Sequence, residues 1–254
     1  MKMAGVLLAA WPLAAQILRP QVGMILRSDG AVRPVFGLAA SAQLGDPVLT
    51  GVISFASSGR FWLAKTSYQI VASTGETTPA PPGPAVFALT GALSGAANGG
   101  SAFLFFPETG DFCAWSNGAL TPIPVQLDGR PLAMRALSAE AIDVAIEPAA
   151  QHGHFGRIDR ILLKNGVARV VRFIGSFAGA GPVLLTPDGT ISAAPDGIRV
   201  VHPDGTAKTF ALAGVRSFAQ MGDGYVEVAT SDGLWILRTD QGHEQLYVSP
   251  GGVP

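Results

Sequence analysis

Three groups of side chains have types and spacings that suit chemistry. His152 and His154 stand two apart in a loop running from Glu147 to Arg157, with Asp159 just beyond. Paired imidazoles at that spacing can share a metal ion. No third ligand stands out, so neither a metal nor another cofactor is expected. The second group is Asp46, Asn98, Arg135, Glu140, Asp143 and Asp223, polar residues near the ends of apolar runs. Two carboxylates brought together from such a set could exchange protons with a substrate or hold calcium. Asn98 and Asp223 precede glycine and Asp46 precedes proline, so turn geometry alone explains those three. The third group, Arg157, Arg160, Lys164, Arg169 and Arg172, places five cations within sixteen residues. On a strand, Arg160 and Lys164 share a face while Asp159 points away. Such a stripe suits an anionic glycan or lipid head group, or else a sheet edge kept from pairing by its charge.

Other chemistry is thin. Cys113, the single cysteine, lies between Phe112 and Ala114 and reads as an inert buried thiol. Thr186-Pro187-Asp188-Gly189 has one carboxylate, too few for a calcium loop. His202 before Pro203-Asp204-Gly205, and His243 at the matching later turn, read as strand-end residues. There is no nucleophile elbow, phosphate-binding loop, His-Glu-x-x-His or dinucleotide fingerprint.

The elements that must position these groups follow from composition. The 254 residues are 48% apolar and only 14% charged, against roughly 25% charged in an average soluble domain. With 32 glycines and 19 prolines, long helices are not expected. A net charge of −1 gives no reason to expect nucleic acid as a partner. Lys2, an uncharged run over 3–18 and the small residues Ala14 and Ala15 have the layout of a signal peptide, residues 1–15. The expectation is a secreted or periplasmic protein, residues 16–254, with no membrane span in the mature chain. The uncharged run holds Pro12 and falls short of the ~20 residues a span needs.

Ten Asp-Gly or Asn-Gly pairs punctuate the chain, and those at Asp188, Asp196 and Asp204 are spaced by eight. Eight residues make one strand and one tight turn, the mark of an antiparallel meander. Four-strand units recur. The last two run Pro182–Gly214 and Val215–Gly251; an early one is expected at Val52–Ala56, Arg60–Ala64, Tyr68–Ala72 and Ala85–Leu89. Glycines assigned to the turn between third and fourth strands, at 30, 75, 118, 166, 205 and 242, are separated by 45, 43, 48, 39 and 37 residues. A drifting period near 42 with four short strands is the spacing of a β-propeller blade.

On these repeats the chain resembles the β-propeller superfamily over nearly all of its mature length. Its stretch Gly30–Gly37 leading to Leu44-Gly45-Asp46-Pro47 is similar to the openings of uncharacterised exported bacterial propeller-like proteins. The expected fold is all-β: a single propeller of about six blades, five full four-stranded sheets plus an N-terminal hairpin beside the last sheet. A five-bladed ring with the hairpin as decoration and a β-sandwich are the alternatives. The resemblance names no activity; the leading expectation is a non-catalytic module that presents its loops and central channel to a protein, peptide or glycan. A hydrolase or lyase acting at the mouth of the central channel, with Asp46, Asn98, Arg135, Glu140, Asp143 and Asp223 as the channel-mouth candidates, is the alternative, and a structural piece of an envelope assembly a third reading. Converging acids would mark the enzyme; an apolar patch at one rim would mark the binding module.

Overall fold

The computed structural model describes residues 21–37, 43–59, 61–90, 100–147, 155–164, 166–178, 181–222 and 224–249. The expected signal peptide, Asn98, His152, His154 and Asp223 lie outside them. Among the described residues every regular element is a strand. The first sheet orders β1 (Gln21–Leu26), β2 (Val32–Phe36) and β3 (Gln43–Leu44). The second has β4 (Ser54–Ser58), β5 (Phe61–Lys65), β6 (Gln69–Ala72) and β7 (Thr77–Pro79). The third has β8 (Val86–Leu89), β9 (Ser101–Phe106), β10 (Asp111–Ser116) and β11 (Ala119–Pro122). The fourth has β12 (Pro131–Ser138), β13 (Ala141–Ile146), β14 (Phe155–Lys164) and β15 (Val167–Ala178). The fifth has β16 (Val183–Thr186), β17 (Gly189–Ala194), β18 (Gly197–Val201) and β19 (Ala207–Phe210). The sixth has β20 (Val215–Gly222), β21 (Tyr225–Thr230), β22 (Leu234–Arg238) and β23 (Gln245–Val248).

Strands alternate their side chains between two faces, and here both faces are apolar, so each sheet must be covered twice. Six buried clusters do this, one at each seam. Leu63 and Ile70 of the second blade meet Leu104 and Trp115 of the third, and Phe103 and Phe105 of the third meet Ile142 and Val144 of the fourth. Ala145 and Ile158 meet Val183 and Leu185; Ile191 and Ile198 meet Val226 and Leu237. The last two close the circle: Ile25 and Val35 against Met221 and Ile236, then Met24 and Val32 against Val52 and Ala64. The protein is a six-bladed β-propeller, five blades of four strands and one of three. Each fully buried Leu or Ile contributes roughly 1.5–3 kcal/mol, which is how a chain without a disulfide holds together.

Two expectations about strands are corrected. The outer strand of the second blade is β7, and Ala85–Leu89 supplies the inner strand of the third. Pro79 hid β7 in the sequence, because proline lacks a ladder N–H. An end strand tolerates it, and Thr78 still pairs with Ile70. The second correction concerns Gly30. The other five ruler glycines do join third to fourth strands, but Gly30 joins β1 to β2.

That difference sets how the ring closes. The Gly30 turn sits against Gly51 and Val52, just ahead of β4. Gln21–Met24 instead share a cavity with Gly59, just past the end of β4, and Gly222, at the end of β20. β1 therefore runs opposite to β4 and β20. The first sheet has no inner strand of the usual direction, and β4 and β20 meet beside it, Ser57 Oγ donating to the Gln220 carbonyl at 3.4 Å. The backbones of β1 and β20 cross at two glycines. A Cβ at Gly23 would stand 1.6 Å from the Met221 carbonyl oxygen, and one at Gly222 would stand 2.4 Å from that of Val22. No other residue type fits that crossing without moving a strand.

Candidate functional site

The central channel, a cavity of about 290 Å³, is bordered by β4, β8, β12, β16 and β20 and by adjoining residues. Its described lining is mostly apolar (Phe55, Phe87, Met134 and Phe218 among it), and Arg135 is its one ionisable side chain. Arg135 is not free. Its Nη2 donates to Asp143 Oδ2 at 2.5 Å and its Nη1 to the Thr186 carbonyl at 2.6 Å across the seam to the fifth blade. Its Nε is buried without a partner.

Asp143 also accepts two bonds from Arg160, Nε to Oδ1 at 2.7 Å and Nη2 to Oδ2 at 3.2 Å. Register explains the row: Arg135 pairs with Asp143 and Asp143 with Arg160 across β12, β13 and β14. Asp143 is fully buried. Its hydrogen bond holds the Arg160 guanidinium above its ordinary value, against the opposing effect of burial. The row is a buried carboxylate between two cations, and its ion pairs tie β12, β13 and β14 together across the sheet.

Of the six residues expected at the channel mouth, the structure brings Arg135 and Asp143 together, and of the described ones Arg135 alone borders the channel cavity. Asp46 is exposed in the loop after β3. Glu140 is exposed in the β12–β13 turn, at the edge of a cavity bordered by Phe103, Trp115 and Leu163. The third partner of the buried row, Arg160, came from the basic stripe instead. Among the described residues no three of His, Cys, Asp or Glu converge as a metal would need. Cys113 is buried, and burial raises its thiol, with Asp111 adding to the effect.

The opposite face of the fourth blade carries a second charged row. Arg157 Nε donates to Asp159 Oδ2 at 3.0 Å, and its Nη2 lies 3.6 Å from Asp128 Oδ2, which Arg172 also approaches at 3.5 Å. Buried Asp159 takes a further bond from the Phe173 backbone N–H at 3.0 Å. The ladder breaks there: Ile158 pairs with Gly175 but Arg160 with Val171, so β15 carries two extra residues in a bulge. Phe173 sits in the bulge with φ of 59°, a left-handed backbone that costs a non-glycine residue on the order of 1–3 kcal/mol. The residue is 72% exposed, with the Arg157 guanidinium 5.6 Å from the centroid of its ring. Phe155, Leu162, Val167 and Ile174 are also exposed on these two strands.

Sequence reading missed one more pair. His202 is buried at the seam of the fifth and sixth blades, its Nδ1 2.9 Å from the Asp188 carbonyl and its Nε2 2.6 Å from Glu244 Oε1. Backbone N–H groups of Glu244 and Gly242, with His202 and Lys208, hold the Glu244 carboxyl down at about 2 in spite of its burial. Both ring nitrogens of His202 thus lie within hydrogen-bonding distance of an oxygen. Nothing in Gly242-His243-Glu244 signals this, because the contact spans forty-two residues.

No protein-family model matches the chain, and no curated protein matches it. Solved structures do resemble it. PorZ, an essential bacterial surface component of the type-IX secretion system of Porphyromonas gingivalis, matches at 14% identity and a TM-score of 0.46. That match covers 91% of this chain but 38% of PorZ. The complex of KlAtg21 with the coiled-coil of AgAtg16 matches at 8% identity and 0.47, over 87% of this chain and 77% of that one. The N-terminal domain of Nup159 matches at 11% and 0.42, over 87% and 72%. Scores this low add nothing to the ring, which rests on its own sheets and seams.

Proposed function

We propose that the protein is an exported, non-catalytic binding or scaffold module whose ligand is a protein, peptide or glycan. The observation that carries this reading is the outermost hairpin of the fourth blade, β14–β15, along which Phe155, Val167 and Phe173 are each more than 60% exposed among arginines. Several large apolar side chains exposed on one hairpin of an otherwise well-packed protein suit an interaction surface. Arg135, the one ionisable group described in the channel wall, is already committed to Asp143 and Thr186. Export rests on the layout of residues 1–15, and an N-terminus at Gln16 in the mature protein would support it. Among the described residues no helix is long and apolar enough to cross a membrane.

A thermal-shift screen of the purified protein against sugars, short peptides, metals and a chelator tests the reading. A ligand that binds only the folded state raises apparent stability by RT ln(1 + [L]/Kd). The expected result is a shift with peptides or glycans. Turnover of ester, glycoside or uronate substrates would overturn it in favour of a hydrolase or lyase.

A further inference from the structure

We infer that β15 is the docking edge for an extended acidic segment of a partner protein, anchored by an apolar residue at Phe173. The inference rests on the binding-module reading above and names its place and partner. Four observations carry it. First, β15 is the outer end strand of its sheet and twelve residues long, where the outer end strands of the other sheets have two to four. Second, the exposed apolar residues are spread along that strand, Val167 at its start and Phe173 and Ile174 in the bulge, where a lipid-binding site would gather them at a loop tip. Such spacing suits an added strand, whose side chains meet the edge at intervals.

Third, the bulge turns the Phe173 ring outward and fixes it there through Asp159 and Arg157. Charge and bulges also guard edges against stray pairing. A guard, however, would not present a phenyl ring to solvent. Fourth, charge is segregated. Residues 155–178 hold five cations and one carboxylate, a net +4, while the whole chain is −1, leaving −5 elsewhere. Asp128 and Asp143 offset part of that +4 from neighbouring strands and loops. Among the described residues, Lys164 and Arg169 have no carboxylate partner. The edge therefore attracts acidic chains and repels basic ones.

The test is selection of phage-displayed random twelve-residue peptides on the purified protein, then anisotropy titration of the consensus peptide. The variants are Arg169→Glu with Arg172→Glu, and Phe173→Ser. Phe173→Gly, which keeps the left-handed backbone, guards against misfolding, and unchanged melting midpoints confirm the fold. The expected result is an acidic consensus with spaced apolar residues, bound about tenfold more weakly by each variant. A neutral or basic consensus, or binding that ignores both substitutions, overturns the inference and leaves the binding-module reading standing. Sedimentation with phosphatidylserine vesicles that the same variants abolish, without peptide binding, overturns it in favour of a lipid surface. If no peptide, glycan or vesicle binds, both fall.

Discussion

The first sheet and the fourth blade depart from the regular blade in opposite directions. The first has three strands of six, five and two residues; the fourth has strands of eight, six, ten and twelve. Each is held in the ring by different physics. The short sheet closes by shape: backbones crossing at Gly23 and Gly222, with apolar clusters on both sides and one long, exposed ion pair, Asp29–Arg33 at 3.9 Å. The long blade carries a charged row on each face, centred on Asp143 and Asp159, two of the most buried carboxylates among the described residues. The lesson is that closure of this ring depends on what is absent at two positions, while the fourth blade depends on buried carboxylates that are present and paired with arginines.

That contrast can be broken at either side. Gly23→Val should be the most severe change, because a side chain cannot occupy the place of the Met221 carbonyl. A loss of about 4 kcal/mol or more in denaturant unfolding is expected, in the rare class of large effects, with the first sheet losing hydrogen-exchange protection first. Asp143→Ala should cost about 3–5 kcal/mol by stranding two guanidinium groups. Replacing Arg135, Asp143 and Arg160 together with apolar residues of similar volume should recover most of that loss. Failure to recover would mean that the row does more than hold the blade.

Acid separates the two seams of the sixth blade. The Glu244 carboxyl, at about 2 in the folded protein against an ordinary 4.5, stabilises the seam to the fifth blade above pH 4.5 and loses that contribution as pH falls toward 2. Glu227 behaves oppositely. It pairs across strands with Ile236 of the closing cluster, and burial raises its carboxyl, with Arg27 only partly opposing. The seam to the first sheet is therefore strained by charge at neutral pH and relieved as pH falls toward the ordinary carboxylate range. Glu227→Gln should raise the melting midpoint at pH 7, while Glu244→Gln should lower it and flatten the acid limb below pH 4.5. The smallest effect is expected at Phe173→Gly, which removes the Cβ penalty of a left-handed residue and should leave stability unchanged or raise it by about 1 kcal/mol.

Much of the ring was legible because its signals are local. Asn117-Gly118 adopts φ of 47° and 76°, the pair of positive angles a two-residue hairpin turn requires. A residue type can announce such a turn without knowledge of anything distant. The row on the fourth blade was half legible: Arg135 and Asp143 face each other across one hairpin, eight residues apart. Arg160 joins through a longer connection, and sequence periodicity assigned only its face. His202 and Glu244 were not legible, since each looks like an ordinary turn neighbour until two blades are set side by side.

By itself the sequence determined the repeat, the turns and the all-β class, because hairpin geometry and two-sided apolar strands follow from residue type and spacing. The tertiary structure alone decided the direction of β1, the five-strand channel wall, the pairing of Arg160 with Asp143 and the outward aim of Phe173. Each of those depends on which backbone or charge lies across a seam, and no local pattern in the chain carries that information.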